Sequence, residues 1–286
     1  YFNASGELDN GFTVAFFQAA NTDGTWANSS SQVTIGMGSM GTLQINNIAG
    51  AKANGIDDVM PFAYEETWDA TDGTAHRADF FGSSTGSGSV DYRIPAQEMM
   101  GVTINASVTY DPNSDVGSTT AGGPGASTVT GTAYTLELAH ESGVSVGFGT
   151  ESIENGGVVS ATSTGGDEES ATGYIKYAMG PISIGYQEAY SNNRHAAGTE
   201  GADEEAEFWG LKYSQDGIAL SYAESEYLTK AQAGNAASLT QELEAIQASY
   251  TMGSMTIMAS LSEGANIAAA TGKNYEETSI AVNFAF

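Results

Sequence analysis

The chain has 286 residues, no cysteine, and 35 acidic against 8 basic side chains, which give a formal charge of −27. The absence of cysteine excludes a disulfide-stapled fold and a thiolate metal site, and the acidic balance argues strongly against nucleic-acid binding, which depends on Lys and Arg meeting phosphates. No apolar run approaches the 18 residues of a transmembrane helix. A membrane protein that crosses the bilayer with short alternating strands escapes that test.

Alternation of apolar and polar residues runs along almost the whole chain and predicts β-strands. The first tight turn, Asp9-Asn10-Gly11, is of the type that needs positive φ. About 15 strands are predicted, close to the length that a tilted transmembrane strand needs. They are Tyr1–Asp9, Phe12–Ala19, Ser30–Gly38, Thr42–Ile48, Ser89–Ile94, Gly101–Tyr110, Val129–His140, Val144–Glu151, Ser170–Ala178, Ile182–Tyr190, Ala206–Ser214, Ile218–Tyr227, Leu239–Tyr250, Ser254–Leu261 and Tyr275–Phe286.

The connections alternate between tight turns and long polar loops, which is typical of a hairpin meander and not of βαβ units. Within the last quarter, Leu239–Gln247 also fits a helical period, so two assignments stay open there. The longest interruption is Ala49–Gly88, which mixes acidic residues with many aromatics. Aromatics in such number argue against a disordered loop. We therefore expect a folded insert that packs inside the structure.

The two faces of the predicted strands differ in charge. One face, for example Val102, Ile104, Ala106 and Val108, carries no charge in the strands with the clearest alternation. Charges that fall within strands, such as Glu7, Asp91, Arg93, Glu137, Lys176 and Lys212, lie in the opposite register. A soluble β-sandwich would show the same alternation, but sandwiches do not usually alternate tight turns with long loops over so many hairpins. Aromatics near strand ends are typical of membrane-interface girdles; they are Tyr92, Tyr110, Trp209, Tyr213, Tyr222 and Tyr250.

Three features together resemble the Gram-negative general-diffusion porins of the 16-stranded trimeric type, in particular alphaproteobacterial ones. They are the terminal alternating strand Thr278–Phe286, the hairpin from Ser89–Pro95 to Gly101–Ser107, and the long loop ahead of that hairpin. The resemblance covers the whole chain. It implies an all-β transmembrane antiparallel barrel as a single domain over residues 1–286, in the outer membrane of a Gram-negative bacterium. It also implies a homotrimer in contact with outer-membrane lipid and lipopolysaccharide.

The resemblance places tight turns on the periplasmic side, so both Tyr1–Asp9 and Tyr275–Phe286 should run inward. Two strands running the same way cannot close an antiparallel barrel. We therefore expect that a first strand is missing from this sequence or is supplied differently, and that the two strands are not direct neighbours.

In porins the third loop folds into the barrel and narrows it, with acids on the loop facing bases on the wall. The resemblance assigns that constriction to residues 49–88. The candidate acids are Asp57, Asp58, Glu65, Glu66, Asp69 and Asp72; the candidate bases are Arg93, Lys176 and Lys212 on the wall, with Lys52 and Arg77 on the insert. Several of these acids could instead be solvated or pair with Arg77.

No catalytic constellation is evident, since His76, His140 and His195 are scattered and lack a nucleophile or metal-site pattern. The predicted protein is not an enzyme. It is a passive channel for small hydrophilic solutes and ions that prefers cations, with a substrate-specific porin or a plugged structural or adhesive barrel as alternatives. No cofactor is predicted, although carboxylate clusters could hold Ca²⁺ if they are not simply solvated. The residues concerned are Asp167, Glu168, Asp203 and Glu204.

Overall fold

The computed structural model describes residues 2–20, 28–47, 56, 59–67, 87–112, 130–154, 168–192, 203–229, 239–267 and 271–285. These residues form one antiparallel sheet and a single-turn 3₁₀ helix at Gly38–Met40. Within them, no helix has the length and apolar character needed to cross a membrane. The strands are β1 (Phe2–Glu7), β2 (Thr13–Ala20), β3 (Asn28–Gly36), β4 (Thr42–Asn47), β5 (Ser87–Arg93), β6 (Gln97–Met99), β7 (Val102–Asp111), β8 (Thr130–His140), β9 (Val144–Glu154), β10 (Glu168–Met179), β11 (Ile182–Asn192), β12 (Asp203–Gln215), β13 (Ile218–Thr229), β14 (Leu239–Met252), β15 (Met255–Ala265) and β16 (Tyr275–Phe284).

Each strand pairs with the next one in the chain, so the meander predicted from the sequence is confirmed. The exception is the short β6, which lies off the main path and extends β5 along β7 after an interruption at Ile94-Pro95-Ala96. Proline has no N–H to donate to a sheet ladder, which explains the break at this point. In the described part of the chain β1 pairs with β2 and β16 with β15, and the two end strands run in the same direction, as expected.

Two ends of the sheet differ in their connections. At the short-turn end, β8 joins β9 through Glu141-Ser142-Gly143, and β12 joins β13 through Asp216-Gly217. Gly143 has φ +93°, and a Cβ there would lie 1.9 Å from the Ala178 carbonyl oxygen. Glycine is required at that turn for both reasons. The long connections leave from the opposite, long-loop end.

The two faces of the sheet have opposite character, as predicted. The outer face presents large apolar side chains that are exposed, among them Ile280 at 72% and Phe148 at 54%. The inner face is polar and largely buried, with Gln187, Gln241 and Gln247 each no more than 2% exposed. Leu239–Gln247 belongs to β14, which pairs along its length with β13 and β15, so the strand assignment is correct there. This inside-out distribution is the one a lipid-spanning barrel requires.

Toward the long-loop end, the outer face becomes acidic in a way the sequence analysis did not anticipate. The ladder places Glu188 opposite Glu207 and Glu207 opposite Glu226, and Glu226 stands opposite Glu242. A second row crosses β13 to β16 through Glu224, Glu244, Glu263 and Glu276. We call these two rows the glutamate belt.

Aromatic side chains lie directly beneath the glutamate belt and hydrogen-bond to it. Tyr186 Oη donates to Glu188 Oε1 at 2.5 Å, and Trp209 Nε1 donates to Glu224 Oε2 at 2.6 Å. Trp209 also packs edge-on against Tyr222, with ring centroids 5.1 Å apart. An aromatic row between an apolar band and a charged rim is the pattern of a membrane-interface girdle.

Candidate pore constriction

The described part of the long insert, Ile56 and Val59–Thr67, lies against the inner face of the sheet. Its principal anchor is the Gln247 side chain on β14. Gln247 Oε1 accepts from the backbone N–H of Tyr64 at 3.0 Å and of Glu65 at 3.3 Å, and Gln247 Nε2 donates to the Glu65 carbonyl at 2.5 Å. These bonds satisfy backbone groups that have no strand partner.

Two serines on the neighbouring strand β13 hold the same segment. Ser221 Oγ accepts from the Ala63 N–H at 2.9 Å, and Thr67 Oγ1 donates to Ser225 Oγ at 2.9 Å. Both serines are inward-facing and buried. The segment is therefore fastened to β13 and β14 at regular intervals along its length.

Apolar contacts fix the start of the segment on β8, β10 and β11. Ile56 is fully buried and packs with Ala133 and Tyr174, and Met60 packs against this cluster as well. The Ile56 carbonyl accepts a hydrogen bond from Gln187 Nε2 at 2.8 Å. Ile56 thus serves as an apolar anchor for the insert.

Glycines on the inner wall make the close approach possible. At Gly185, a Cβ would lie 3.0 Å from Met60 and Pro61 atoms, and at Gly210 it would lie 2.8 Å from the Pro61 carbonyl oxygen. At Gly147 a Cβ would lie 2.1 Å from Tyr174 Cε1, because the Tyr174 ring fills the space over that glycine. Backbone and ring approach the wall more closely than any larger residue would permit.

The contacts of this segment show how the sheet is curved. The insert leaves β4 and returns to β5, yet its described part touches inner-face residues from Ala133 on β8 to Ser279 on β16. A flat sheet could not offer all these strands to one short segment. The sheet therefore wraps around the segment and encloses a lumen.

Of the predicted constriction acids, Glu65 and Glu66 are described. Glu65 Oε1 accepts a hydrogen bond from Ser279 Oγ at 3.2 Å, which ties the segment to β16. Glu66 is partly buried and borders a small recess with Met60, Pro61 and Phe208. The other predicted residues of the insert lie outside the described residues; they are Lys52, Asp57, Asp58, Asp69, Asp72 and Arg77.

The three predicted wall bases all face the lumen near the short-turn end. Arg93 Nε lies 2.7 Å from Oδ2 of the fully buried Asp91, and the Arg93 guanidinium also donates to Gln44. Lys176 Nζ lies 5.8 Å from the centroid of the Tyr174 ring, in cation–π range. Lys212 lies opposite Ser183 and Ser221, one inward position beyond Gly210. The sequence predicted their orientation toward the lumen but not the salt bridge between Arg93 and Asp91.

The inner face also carries carboxylates that were not predicted as pore residues from the sequence. Glu137 accepts a hydrogen bond from Tyr174 Oη at 2.7 Å, and Glu151 accepts one from Ser170 Oγ at 3.4 Å. Asp111 and Glu277 occupy inward positions of β7 and β16, and Glu204, which the sequence suggested only for Ca²⁺, occupies an inward position of β12. The signal that could have found them is their register relative to the apolar face, once the strand pairing is known.

The residues considered for Ca²⁺ are only partly described. Asp167 lies outside the described residues, and Glu168 and Asp203 begin β10 and β12. Glu204 faces inward and accepts a hydrogen bond from Tyr227 Oη. Across the described ranges, no group of three or more His, Asp or Glu side chains is arranged to hold a metal ion. Calcium binding stays a prediction.

Of the three histidines, His140 lies at the short-turn end, where its Nδ1 is 2.8 Å from Ser142 Oγ and accepts from the Ser142 N–H. That contact belongs to the tight turn between β8 and β9. His76 and His195 lie outside the described residues.

Comparison with known proteins identifies the family to which this architecture belongs. The family model described as Gram-negative porin matches residues 1–286, whereas no curated protein matches. A porin refined at 1.8 Å is similar at 13% identity and TM-score 0.67, covering 99% of this chain and 90% of that one. A loop L8 deletion mutant of OmpT, an outer membrane protein of Vibrio cholerae, is similar at 12% identity and TM-score 0.67, covering 99% and 88%. An anion-selective porin from Comamonas acidovorans is similar at 12% identity and TM-score 0.63, covering 99% and 86%. The chain therefore belongs to the Gram-negative porin family, whose members are passive β-barrel channels of the bacterial outer membrane.

Proposed function

We propose that this porin is a water-filled channel for small hydrophilic solutes and ions, narrowed by residues 49–88 and selective for cations. The observation that carries the proposal is the polar inner wall, on one side of which Ile56 and Val59–Thr67 are fastened. Serine, threonine and glutamine side chains on that wall can hydrogen-bond water and hydrated solutes along the path.

Exposed residues on the inner wall favour an open lumen over a plugged barrel. Asn3, Ser5 and Ala15 occupy inward positions of β1 and β2 and are exposed. The described segment is fastened to β8, β10–β14 and β16. A solute path along β1–β4 is consistent with this arrangement.

The cation preference rests on the charges that face the lumen. In the described strands the inward bases are Arg93, Lys176 and Lys212, and Arg93 is paired with Asp91. Inward carboxylates are more numerous; they are Glu7, Asp91, Glu98, Asp111, Glu137, Glu151, Glu204 and Glu277, together with Glu65 and Glu66 on the insert. Fixed negative charge in a pore with low-dielectric walls concentrates counter-ions. One unit charge a few ångströms away is worth about 1 kcal/mol even in bulk water.

The test is the zero-current potential across a bilayer with a salt gradient. Replacing Asp57, Asp58, Glu65 and Glu66 together by the neutral amides should move this potential toward zero. The matched control replaces Lys176 and Lys212 by glutamine, which should raise the cation preference. If the first variant leaves the potential unchanged, these four carboxylates do not govern selectivity.

A substrate-specific porin is the alternative within transport. It predicts saturable flux for one class of solute, whereas a general channel predicts flux proportional to concentration and falling smoothly with solute size. Liposome-swelling rates for a series of sugars and amino acids of increasing size distinguish the two. The described residues favour the general channel because the buried inner face is rich in serine, threonine and glutamine, which can hydrogen-bond many hydrated solutes.

The proposal includes assembly as a homotrimer. Outward positions of β1 hold the small residues Ala4 and Gly6, which allow a neighbouring barrel to approach closely. An arginine at Gly6 should therefore weaken a detergent-resistant oligomer, whereas an arginine at the periplasmic turn residue Gly180 should not. A purified, detergent-stable species of one-barrel mass would contradict the trimer. The proposed lipid environment is outer-membrane lipid, including lipopolysaccharide, and co-purification with the native oligomer tests it.

A further inference from the structure

The methionines of this chain are concentrated at the short-turn end of the sheet. All nine lie within the described residues, and seven of them lie in or beside the tight turns. The tetrapeptide Met-Gly-Ser-Met occurs in two of these turns, at 37–40 and 252–255. Five of the seven side chains are between 52% and 91% exposed; they are Met40, Met99, Met100, Met179 and Met252. We call these five residues the methionine rim.

The methionine rim faces away from the pore. The ladder places Met99, Met179 and Met252 at outward positions of β6, β10 and β14. Met40 and Met100 lie in the turns themselves, and Met100 is the most exposed of the five. No rim residue therefore occupies an inward position of a strand.

Sulfur distinguishes the rim from the rest of the outer face. In the middle of the strands, the exposed apolar residues are of other types, such as Leu220, Ile246 and Ile280. Leucine has a similar volume and would serve equally well as an apolar side chain at the turns. Methionine differs by its thioether, which oxidants convert to the polar sulfoxide. Because the chain has no cysteine, thioethers are its only sulfur groups.

Met60 is the methionine whose oxidation would disturb the insert. It packs against Ile56 and Tyr174 at the start of the insert and against Phe208 on the wall. A Cβ on Gly185 would lie 3.0 Å from Met60 Sδ, so this sulfur lies close against the wall. A sulfoxide there would place a polar oxygen within an apolar cluster, which is unfavourable without a hydrogen-bond donor. We expect it to displace the start of the insert.

We propose that the methionine rim is a sacrificial modification site, which consumes hypochlorous acid and related two-electron oxidants and thereby spares Met60. In each event the thioether sulfur donates an electron pair to the chlorine of hypochlorous acid. Water then hydrolyses the chlorosulfonium to the sulfoxide, with net release of chloride and one proton. The sulfur is oxidised by two electrons, and the chlorine is reduced to chloride. Because the sulfurs compete for a limited amount of oxidant, faster reaction at the rim lowers the amount that reaches Met60.

The experiment exposes the reconstituted protein to hypochlorous acid in increments, up to one equivalent for each rim methionine. Peptide mass spectrometry then measures the sulfoxide fraction at each of the nine positions. The rim methionines should react about tenfold faster than Met60, because oxidant reaches a packed sulfur only after a local opening. Equal rates at Met60 and at the rim would overturn the proposal.

A variant with leucine at all five rim positions tests whether the rim spares Met60, since leucine removes the sulfur and keeps the apolar volume. At the same limiting dose, this variant should carry a severalfold larger fraction of Met60 sulfoxide than the parent. The double variant Met99→Leu with Met100→Leu should give an intermediate fraction, and it replaces the full variant if that one fails to fold. Ile182→Leu with Ile257→Leu is the matched control, because it changes outward neighbours of the rim without removing a sulfur. An unchanged Met60 fraction in the rim variants would overturn the proposal and leave the rim as an apolar anchor.

Discussion

Replacing Gln247 by leucine should detach the insert from β14 with little change in side-chain volume. The substitution removes three hydrogen bonds to the insert, two accepted from the N–H groups of Tyr64 and Glu65 and one donated to the Glu65 carbonyl, and a fourth accepted from Ser221 Oγ on the wall. Gln247 is 2% exposed, so water cannot simply replace these bonds while the segment stays in place. The backbone groups must remain unpaired or the segment must move.

The size of the effect follows from these contacts. A hydrogen bond of this kind contributes about 1 kcal/mol net, so three contribute about 3 kcal/mol to holding the segment against the wall. Each 1.4 kcal/mol is a factor of ten, so the population with a detached segment should rise by on the order of a hundredfold. Ser221, Ser225 and Gln187 still hold the segment on either side. We therefore expect frequent partial opening and not complete release.

Single-channel recording in a planar bilayer measures this directly. The Q247L channel should show additional conductance levels and a lower voltage threshold for closure than the parent channel. Gln241→Leu is the matched control, because Gln241 lies on the same face of β14 and is 1% exposed. If Q247L records are indistinguishable from those of the parent, or if Q241L produces the same noise, the fastening of the segment by Gln247 is refuted.

Two other substitutions test the wall. Gly147→Ala should lower the thermal midpoint of the barrel and change the conductance, because the added Cβ would meet the Tyr174 ring, which supports the start of the insert. Circular dichroism measures the thermal midpoint, and bilayer recording measures the conductance. Unchanged values of both would contradict the tight packing of Tyr174 over Gly147. Arg93→Gln should destabilise the barrel by about 3 kcal/mol, the typical cost of leaving a buried carboxylate without its counter-charge, since Asp91 is fully buried and would keep the hydrogen bond from Thr109 Oγ1. Lys212→Gln should cost much less, and equal losses in denaturant unfolding would refute the distinction.

Strand existence and orientation could be read from the sequence because a barrel wall repeats every two residues. Ile280, Val282 and Phe284 alternate with Ser279, Ala281 and Asn283, and the structure exposes the former set on the outer face. Leu239–Gln247 is ambiguous in the sequence because Leu239, Leu243 and Ile246 also share a helical face. Pairing with β13 and β15 decides for a strand, and that information is not local.

The glutamate belt was missed for a related reason. Glu188, Glu207, Glu226 and Glu242 are far apart along the chain and become neighbours only through the register of four strands. Within its own strand, each of these glutamates looks like an ordinary solvent-exposed polar residue near a loop. Their outward orientation follows from the strand register, which has to be known across every hairpin before these residues can be placed on the same face as the apolar ones.

The partners of the insert could not be predicted because they depend on where the segment crosses the lumen. Gln187 and Gln247 are inward glutamines, like Gln44 and Gln241, and nothing in the sequence distinguishes the two that hold the insert. The glycines opposite Met60 and Pro61 were equally unremarkable in the sequence. Only the close approach of the segment gives them a role.

Recording the conductance and zero-current potential of the unmodified channel is the most direct test of the central claim. The proposed pore predicts ohmic single-channel currents in potassium chloride. In a salt gradient it predicts a potential of the sign given by cation permeation, which should weaken at high salt as fixed charges are screened. Absence of channel activity would support a plugged barrel, and a potential of the opposite sign would show that Arg93, Lys176 and Lys212 govern the pore.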